Sequence, residues 1–424
     1  MSREKGLCRI IRALLLFSVL VQGRPLHAAC PFFSDLIDNG AYGLLGGDGI
    51  SLCCQPDRQL IPASIIKIAT SLAALNILGP DYRFITRIYL DGEKRLVVEG
   101  FGDPLLVSEE VERIARMVRR RGIAELGGIV IVQERFAPGV EQAPGSEGSD
   151  NPYDAADTAL AVNFNSLPLR VDPDGAVHSA EPQTPFLPLM AELGKHLGVG
   201  RHRVNIDGVL NGKETLAGRY AGELFRAMLT AAGIRINGKI DVAPLPAERR
   251  LLFVHHSPPL REIVALCLRY SNNFIANQIF LTCGVARYGY PADWYKSRRV
   301  LARFFATRLG VNGSGLRLVE GSGLSPHNRV TVRGMLRILE EFAPYSDLLP
   351  TRFGNPIKSG TLTGVYNYAG YLGKERRPFV IILNQRDNIR DRLLRFFVQR
   401  EKRRSVGGSG EEFSDFSGCE EKAR

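Results

Sequence analysis

The sequence predicts a multidomain protein of the α+β or α/β class. Three observations support this fold class. The chain has 424 residues, which is enough for two or three domains. Hydrophobic residues make up 45% and charged residues 23%, which is typical of globular proteins and excludes collagen-like, coiled-coil and wholly disordered chains. Short apolar runs beside glycine turns alternate with longer runs of helical periodicity, so both strands and helices are expected.

The first 29 residues are typical of a secretory signal. Four positive residues come first: Arg3, Lys5, Arg9 and Arg12. The apolar run 13–21 follows, which is too short to span a bilayer comfortably, and Ala29 offers a cleavage point. We therefore expect an exported protein of the periplasm or cell envelope. An uncleaved anchor, and a lipoprotein modified at Cys30, are alternative interpretations. Because this is the only long apolar run, a multispan membrane protein is excluded.

Charge and cysteine usage limit the partners. The chain has 55 Lys and Arg against 44 Asp and Glu, a net charge of +11. This excess suits peripheral contact with an anionic envelope surface, but it is too diffuse to indicate nucleic-acid binding. Seven cysteines do not form a disulfide scaffold, and no CxxC pair or His/Cys spacing suits zinc. We expect no metal and no cofactor, and the oligomeric state cannot be read from the sequence.

The elements follow in chain order. Two apolar runs around residues 46–49 predict a β-hairpin, and Pro62 begins a helical pattern that Gly79 ends. A second hairpin turns at Asp91-Gly92. Further helices are predicted near 111–121, 187–197, 221–232, 260–268, 274–283, 294–309, 332–342 and 390–397, and buried strands near 128–132 and 379–383. Residues 138–158 are typical of a loop, Asn211-Gly212 of a turn, 234–250 of a return crossing between domains, and 401–424 of a disordered tail.

Three short motifs occur in one order. Ser64-Ile-Ile-Lys67 begins the first helix, Ser271-Asn272-Asn273 interrupts two helices, and Lys358-Ser359-Gly360-Thr361 precedes Gly364. Each motif alone is weak evidence. The ordered trio is typical of penicillin-recognising serine enzymes.

The first motif suits a nucleophile and its base. Ser64 lies near a helix N-terminus, where free N–H groups favour developing negative charge. Lys67 projects from the same face of the helix three positions later. An ammonium cannot accept a proton, so burial and the second cation, Lys358, are expected to lower the pKa of Lys67.

The other two motifs suit proton relay and substrate binding. Ser271 can pass a proton to a leaving amine, and Asn273 can hold Lys67 and a substrate amide. The segment from Lys358 to Thr361 is expected to be an edge strand that pairs with an extended peptide. The backbone N–H groups of Ser64 and Thr361 are expected to form the oxyanion hole. Lys358, Ser359 and Thr361, with Gly360 between them, would present a charge and hydroxyls to a terminal carboxylate.

From residue 35 to 400 the sequence resembles the class C low-molecular-mass penicillin-binding proteins, which are serine-type D-alanyl-D-alanine carboxypeptidase/endopeptidases. Besides the trio, the resemblance rests on Pro62-Ala63-Ser64, Gly102-Asp103-Pro104-Leu105, Ala161-Val162-Asn163-Phe164-Asn165, Glu320-Gly321-Ser322-Gly323-Leu324-Ser325, His327-Asn328-Arg329-Val330 and Leu362-Thr363-Gly364. It implies an acyl-Ser64 intermediate, action on peptidoglycan stem peptides and inhibition by β-lactam antibiotics.

The resemblance also implies a domain organisation. A transpeptidase/β-lactamase-like core, an antiparallel sheet with helices on both faces, would comprise residues 30–84 and 251–400. A β-rich insert would occupy 85–250, since 207 residues separate Ser64 from Ser271. Three positions depart from the family pattern: Asn272 replaces Asp, Ser359 replaces Thr, and Pro326 replaces Arg. Pro326 could alter recognition of substrate carboxylates.

Two alternative functions remain open at this point. One is a β-lactamase or esterase on the same scaffold, although the sequence offers no clear deacylating Glu. The other is a non-catalytic peptidoglycan-binding protein, which decayed motifs would indicate, whereas all three motifs are intact.

Overall fold

A computed structural model describes residues 30, 32–46, 49–206, 209–210 and 214–406. The expected signal at 1–29 and the expected turn at Asn211-Gly212 lie outside the described residues. The strands are β1 Gly40–Leu45, β2 Ile50–Cys54, β3 Ile85–Asp91, β4 Arg95–Gly100, β5 Glu125–Leu126, β6 Gly128–Val132, β7 Ser166–Val171, β8 Val177–Ser179, β9 Gly200–Asn205, β10 Val209–Leu210, β11 Glu214–Thr215, β12 Arg235–Ile236, β13 Ile240–Val242, β14 Arg249–His256, β15 Leu316–Arg317, β16 Arg329–Val330, β17 Thr351–Arg352, β18 Asn355–Leu362, β19 Val365–Leu372 and β20 Arg377–Leu383.

The α-helices are α1 Lys67–Ile77, α2 Ser108–Arg120, α3 Pro188–Gly194, α4 Leu216–Ala231, α5 Leu260–Tyr270, α6 Asn273–Tyr288, α7 Trp294–Leu309, α8 Val332–Phe342 and α9 Arg390–Val406. Five short 3₁₀ segments are described at Ser34–Leu36, Ala63–Ile66, Pro152–Asp154, Asn163–Asn165 and Ala343–Leu348. Helix α9 therefore continues to Val406, so the disordered tail expected from residue 401 is wrong for its first six residues.

A six-stranded sheet forms the centre of the catalytic domain, in the order β17-β18-β19-β20-β1-β2. All its neighbouring strands are antiparallel, and the N-terminal strand β1 lies beside β20, with Tyr42 opposite Ile381. Strand β20 is apolar without alternation because both of its faces are buried: Val380 packs with α1 and α8, whereas Phe379 packs with α9. This arrangement confirms the predicted antiparallel sheet with helices on both faces.

Helix α1 runs through the middle of this domain. All residues from Lys67 to Leu75 are buried, which fits a helix that is apolar around most of its circumference. It packs against α5, α6 and α8. The first motif is thus anchored in the most enclosed part of the structure, and its geometry cannot shift without disturbing the core.

The insert leaves and returns through neighbouring strands. Strands β3 and β14 pair antiparallel, with Ile85 opposite His256. The boundary predicted at residue 250 falls inside β14, which ends at His256. Its five-stranded sheet has the order β13-β6-β4-β3-β14, and a smaller sheet has the order β8-β7-β9. Segment 234–250, expected to be a plain crossing, contains β12 and β13.

The structure describes one disulfide and two free cysteines. Cys30 and Cys54 form a disulfide, whereas Cys267 and Cys283, which the sequence left as a possible bridge, are free and buried. Within the described part of the chain, no helix is long and apolar enough to cross a membrane, and no His, Cys, Asp or Glu group could hold a metal ion.

Candidate active site

Ser64 lies in the 3₁₀ turn that leads into α1. The preceding residue, Ala63, has a left-handed backbone (φ 46°), which turns the chain sharply before the helix. Gly323 is packed against this turn so closely that a Cβ there would lie 2.1 Å from the carbonyl oxygen of Ala63. The neighbouring loop therefore supports the strained position from which Ser64 is presented.

Lys67 connects the first two motifs. Its Nζ donates to Ser64 Oγ at 2.9 Å, to Asn273 Oδ1 at 2.7 Å and to the carbonyl oxygen of Ser322 at 2.6 Å. The Lys67 side chain is fully buried. Three acceptors use the three ammonium hydrogens, so the amine has a fixed position within reach of the Ser64 hydroxyl.

Both lysines of the motifs have lowered pKa values. Burial lowers the pKa of Lys67 to about 8, and the nearby groups Cys267 and Glu320 oppose this change. Burial is also the largest cause that lowers the pKa of Lys358 to about 7, and the positive charge of Lys67 adds to it. A substantial neutral fraction of a lysine near physiological pH is what a base requires.

The second motif lies between α5 and α6. Ser271 ends α5 in the left-handed region (φ 55°), and its Oγ accepts a hydrogen bond from Lys358 Nζ at 2.8 Å. Asn272 caps α6, where its Oδ1 accepts from the N–H of Ile275 at 2.9 Å. Asn273 begins α6, and its Nδ2 donates to the carbonyl oxygen of Tyr153 at 3.1 Å.

The third motif lies on β18. Only the first residues of this strand pair with the short β17, so its later part faces outward as an edge. Lys358 and Gly360 are buried on one face, while Ser359 and Thr361 lie on the other and are more exposed. A Cβ at Gly360 would lie 3.0 Å from the backbone nitrogen of Ser64. The strand and the nucleophile turn are therefore in direct backbone contact.

The structure thus brings together all the predicted site residues, which are Ser64, Lys67, Ser271, Asn273, Lys358, Ser359, Gly360 and Thr361. It adds Glu320, which the sequence reasoning missed. The Glu320 carboxylate is fully buried and accepts from the N–H groups of Ser322 and Gly323 at 2.6 and 2.8 Å and from Asn328 Nδ2 at 2.6 Å. It shapes the loop whose Ser322 carbonyl holds Lys67. The only sequence signal was an acid directly before Gly321-Ser322-Gly323.

The fold and the site define a serine peptidase of the penicillin-binding kind. The chain matches the model of the D-Ala-D-Ala carboxypeptidase 3 (S13) family over residues 53–195 and 212–351. The chain belongs to this family, which confirms the resemblance and the assignment as a serine-type D-Ala-D-Ala carboxypeptidase.

Two relatives agree with this assignment. The chain is 23% identical over 391 residues to D-alanyl-D-alanine carboxypeptidase DacB of Haemophilus influenzae, covering 77% of this chain and 80% of the relative. It is 27% identical over 327 residues to a D-alanyl-D-alanine carboxypeptidase of Actinomadura sp., covering 66% of this chain and 60% of that protein.

Solved structures share the fold. Penicillin binding protein 4 from Haemophilus influenzae has a TM-score of 0.68 at 21% identity, covering 82% of this chain and 91% of that chain. The peptidoglycan endopeptidase Bd3459 from Bdellovibrio bacteriovorus has a TM-score of 0.53 at 16% identity, covering 89% and 95%.

Proposed function

We propose that the enzyme removes the terminal D-Ala of peptidoglycan stem peptides, and cuts D-Ala crosslinks, through an acyl-Ser64 intermediate. The observation that carries this proposal is the hydrogen bond from a fully buried Lys67 to Ser64 Oγ. A solved relative of the same fold is described as complexed with a β-lactam, and another as a peptidoglycan endopeptidase. The same chemistry serves both activities, since a crosslink is a D-Ala amide with a larger leaving group.

Acylation begins with neutral Lys67. It takes the Ser64 hydroxyl proton while Oγ attacks the carbonyl carbon of the penultimate D-Ala. The developing oxyanion is stabilised by the N–H groups of Ser64 and Thr361. Ser271 passes its proton to the leaving nitrogen and regains the one that Lys67 has taken from Ser64, while Lys358 holds Ser271 Oγ by a hydrogen bond. The C–N bond breaks and D-Ala departs.

Deacylation restores the protonation states of the resting enzyme. Water attacks the ester carbonyl, its proton passes to neutral Lys67, and Ser64 Oγ takes that proton from Lys67 as the C–O bond breaks. Glu320 is unsuited to activating this water because loop N–H groups and Asn328 occupy its oxygens. A penicilloyl ester, which keeps its leaving group tethered, should therefore persist. This favours a penicillin-binding peptidase over the alternative β-lactamase.

Intact-mass measurement tests the mechanism. After brief incubation with benzylpenicillin, the wild type should gain the mass of one penicilloyl group, and Ser64→Ala should gain none. Ser314→Ala, which removes an exposed turn hydroxyl, is the matched control and should behave as wild type. Release of D-Ala from a stem pentapeptide by the same samples completes the test. Penicillin hydrolysed without an adduct would instead identify a β-lactamase, and no reaction at all would favour the binding-protein alternative.

We also propose that the enzyme is exported. The sequence pattern of residues 1–29 supports this, and so does the Cys30–Cys54 disulfide, because disulfides persist in oxidising compartments. A Cys30 that is bonded to Cys54 cannot also carry a lipid thioether, which favours signal cleavage without lipidation. The mass of the protein recovered from the envelope fraction would test this: cleavage after Ala29 predicts a chain that begins at Cys30.

A further inference from the structure

Arg390, the first residue of α9, contacts the strand that carries the third motif. Its Nη1 donates a hydrogen bond to Thr361 Oγ1 at 2.7 Å and also reaches the carbonyl oxygen of Gly360 at 3.3 Å. The sequence pattern assigned Arg390 only to the helix predicted near 390–397. In the fold it lies at the exposed end of the proposed substrate strand.

The guanidinium is held in place by the sheet. It lies 4.7 Å from the ring centre of Tyr368 and 6.0 Å from that of Tyr366, which is a cation–π arrangement. Tyr368 and Tyr366 are the cross-strand partners of Ser359 and Thr361. The positive charge is therefore on the same face of the sheet as the two hydroxyls of the motif.

The charge of Arg390 is not neutralised by an acid in the described part of the chain. No ion pair of Arg390 with Asp or Glu is found among the described residues, and the neighbouring Asp391 accepts a hydrogen bond from the Tyr368 hydroxyl at 2.7 Å. The Nε of Arg390 is buried without a hydrogen-bond partner among those residues. A partly exposed guanidinium that lacks a carboxylate partner is accessible to the carboxylate of a ligand.

We infer that Arg390 makes the enzyme specific for peptides whose leaving group carries a free α-carboxylate. Because Thr361 Oγ1 accepts from Arg390, its own proton is directed away from the guanidinium, toward the open side of the strand. The hydroxyl then donates to the carboxylate while the guanidinium attracts it by charge. Arg390 is thus a positioning residue that acts through Thr361. This inference rests on the proposed function.

A pair of substrates tests the inference. One stem peptide ends in D-Ala with a free carboxylate, and the other ends in D-alaninamide. The quantity measured is the ratio of kcat/KM for the acid to kcat/KM for the amide. Arg390→Gln removes the charge and should lower this ratio ~10–100-fold, mainly through KM of the acid. Arg390→Lys, which keeps the charge without the planar fork, should recover part of the ratio. Arg395→Gln removes an exposed charge from the same helix and is the matched control.

Thr361→Val provides an independent check if Arg390→Gln folds poorly. It removes the acceptor of the Arg390 hydrogen bond, and it should lower the same ratio. The double variant should then lose less than the two single losses combined, because both act on one contact. An unchanged ratio, or an equal fall for acid and amide, would overturn the inference and leave Arg390 a structural residue. Penicillin acylation of Arg390→Gln at saturating concentration shows separately that Ser64 still reacts, whereas a wild type that reacts with neither peptide nor penicillin would overturn the proposed function itself.

Discussion

At the scale of single residues, the site depends on the charge state of Lys67. A protonated Lys67 only holds Ser64 in position, whereas a neutral Lys67 can take its proton. Burial supplies the neutral form by lowering the pKa of Lys67 to about 8 from the ordinary lysine value of 10.5. Roughly one molecule in ten is then active at pH 7, and nearly all are at pH 9.

The rate of acylation by benzylpenicillin should therefore rise with pH and level off above a midpoint of about 8. The rate rises with pH because Lys67 can accept the Ser64 proton only when its own amine is deprotonated. Lys67→Arg keeps a permanent positive charge at the same place, so acylation should fall ~10²–10⁴-fold and lose this pH dependence. The rate can be followed by intact mass in quenched samples between pH 6 and pH 10. Lys94→Arg, in an exposed turn, is the control. A wild-type rate that is flat across this range would contradict the role of Lys67 as base.

The sequence was informative about these side chains because each lies in a motif of fixed local spacing. Ser64 and Lys67 share a helix face, and the three motifs could be recognised in order. The Ser322 carbonyl, Glu320 and Arg390 were missed for a physical reason. Every residue has a backbone carbonyl, so the residue type does not indicate that the Ser322 carbonyl binds Lys67. Arg390 contacts Thr361 only because α9 folds back onto the sheet.

At the scale of elements, catalysis depends on the contact between β18 and the 3₁₀ turn. Gly360 lies where the two backbones meet: a Cβ there would be 2.7 Å from the carbonyl oxygen of Pro62 and 3.0 Å from the nitrogens of Ser64 and Ile65. These neighbours are backbone atoms, so they cannot rotate away. Only a residue without a side chain allows the strand to approach the nucleophile this closely.

Gly360→Ala should accordingly push β18 away from Ser64 and slow acylation by about 10²-fold, since a displacement near 1 Å is enough to spoil the alignment of a reacting centre. The variant should still fold, because the displaced strand is at the outer edge of the sheet. The rate of acylation, followed by intact mass, checks the first expectation. The midpoint of thermal unfolding checks that the variant still folds. Gly313→Ala, where an added Cβ meets nothing within 4 Å, is the matched control. Wild-type acylation in Gly360→Ala would show that this close approach is dispensable.

Helices and strands could be predicted where hydrophobic periodicity was strong. They could not be predicted where a contact between residues distant in sequence determines the end of an element. The hairpin β1–β2 and the helix from Lys67 were predicted close to their observed bounds. Helix α9 was expected to give way to a disordered tail, because residues after 400 are charged. In the structure, Glu401 forms an ion pair with Arg377 at 2.7 Å, and both side chains are nearly buried. This contact holds the end of the helix against β20, and no local pattern could indicate it.

At the scale of the whole molecule, the insert and the catalytic domain share one hydrophobic core. Several insert residues belong to the same buried cluster as α1 and α6: Leu105, Phe136, Val140, Ala143 and Ala159. The insert also has a separate core that includes Leu224. The gap between the motifs predicted that an insert exists. It could not predict this shared packing, because contacts between distant segments depend on the complete fold.

Shared packing has a consequence for unfolding. Phe136→Ala removes a ring from the shared core and should destabilise the protein by about 3 kcal/mol. Trp294, the only tryptophan, packs against Phe280 in the catalytic domain and belongs to the shared core, so its fluorescence reports the unfolding of that core. The Trp294 transition in urea should move to lower concentration in Phe136→Ala and coincide with the transition seen by far-UV circular dichroism. Leu224→Ala, in the separate core of the insert, should move the Trp294 transition less. An unmoved Trp294 transition in Phe136→Ala would mean that the catalytic domain is stable without the insert, and the shared core would then be a contact surface between two independent folding units.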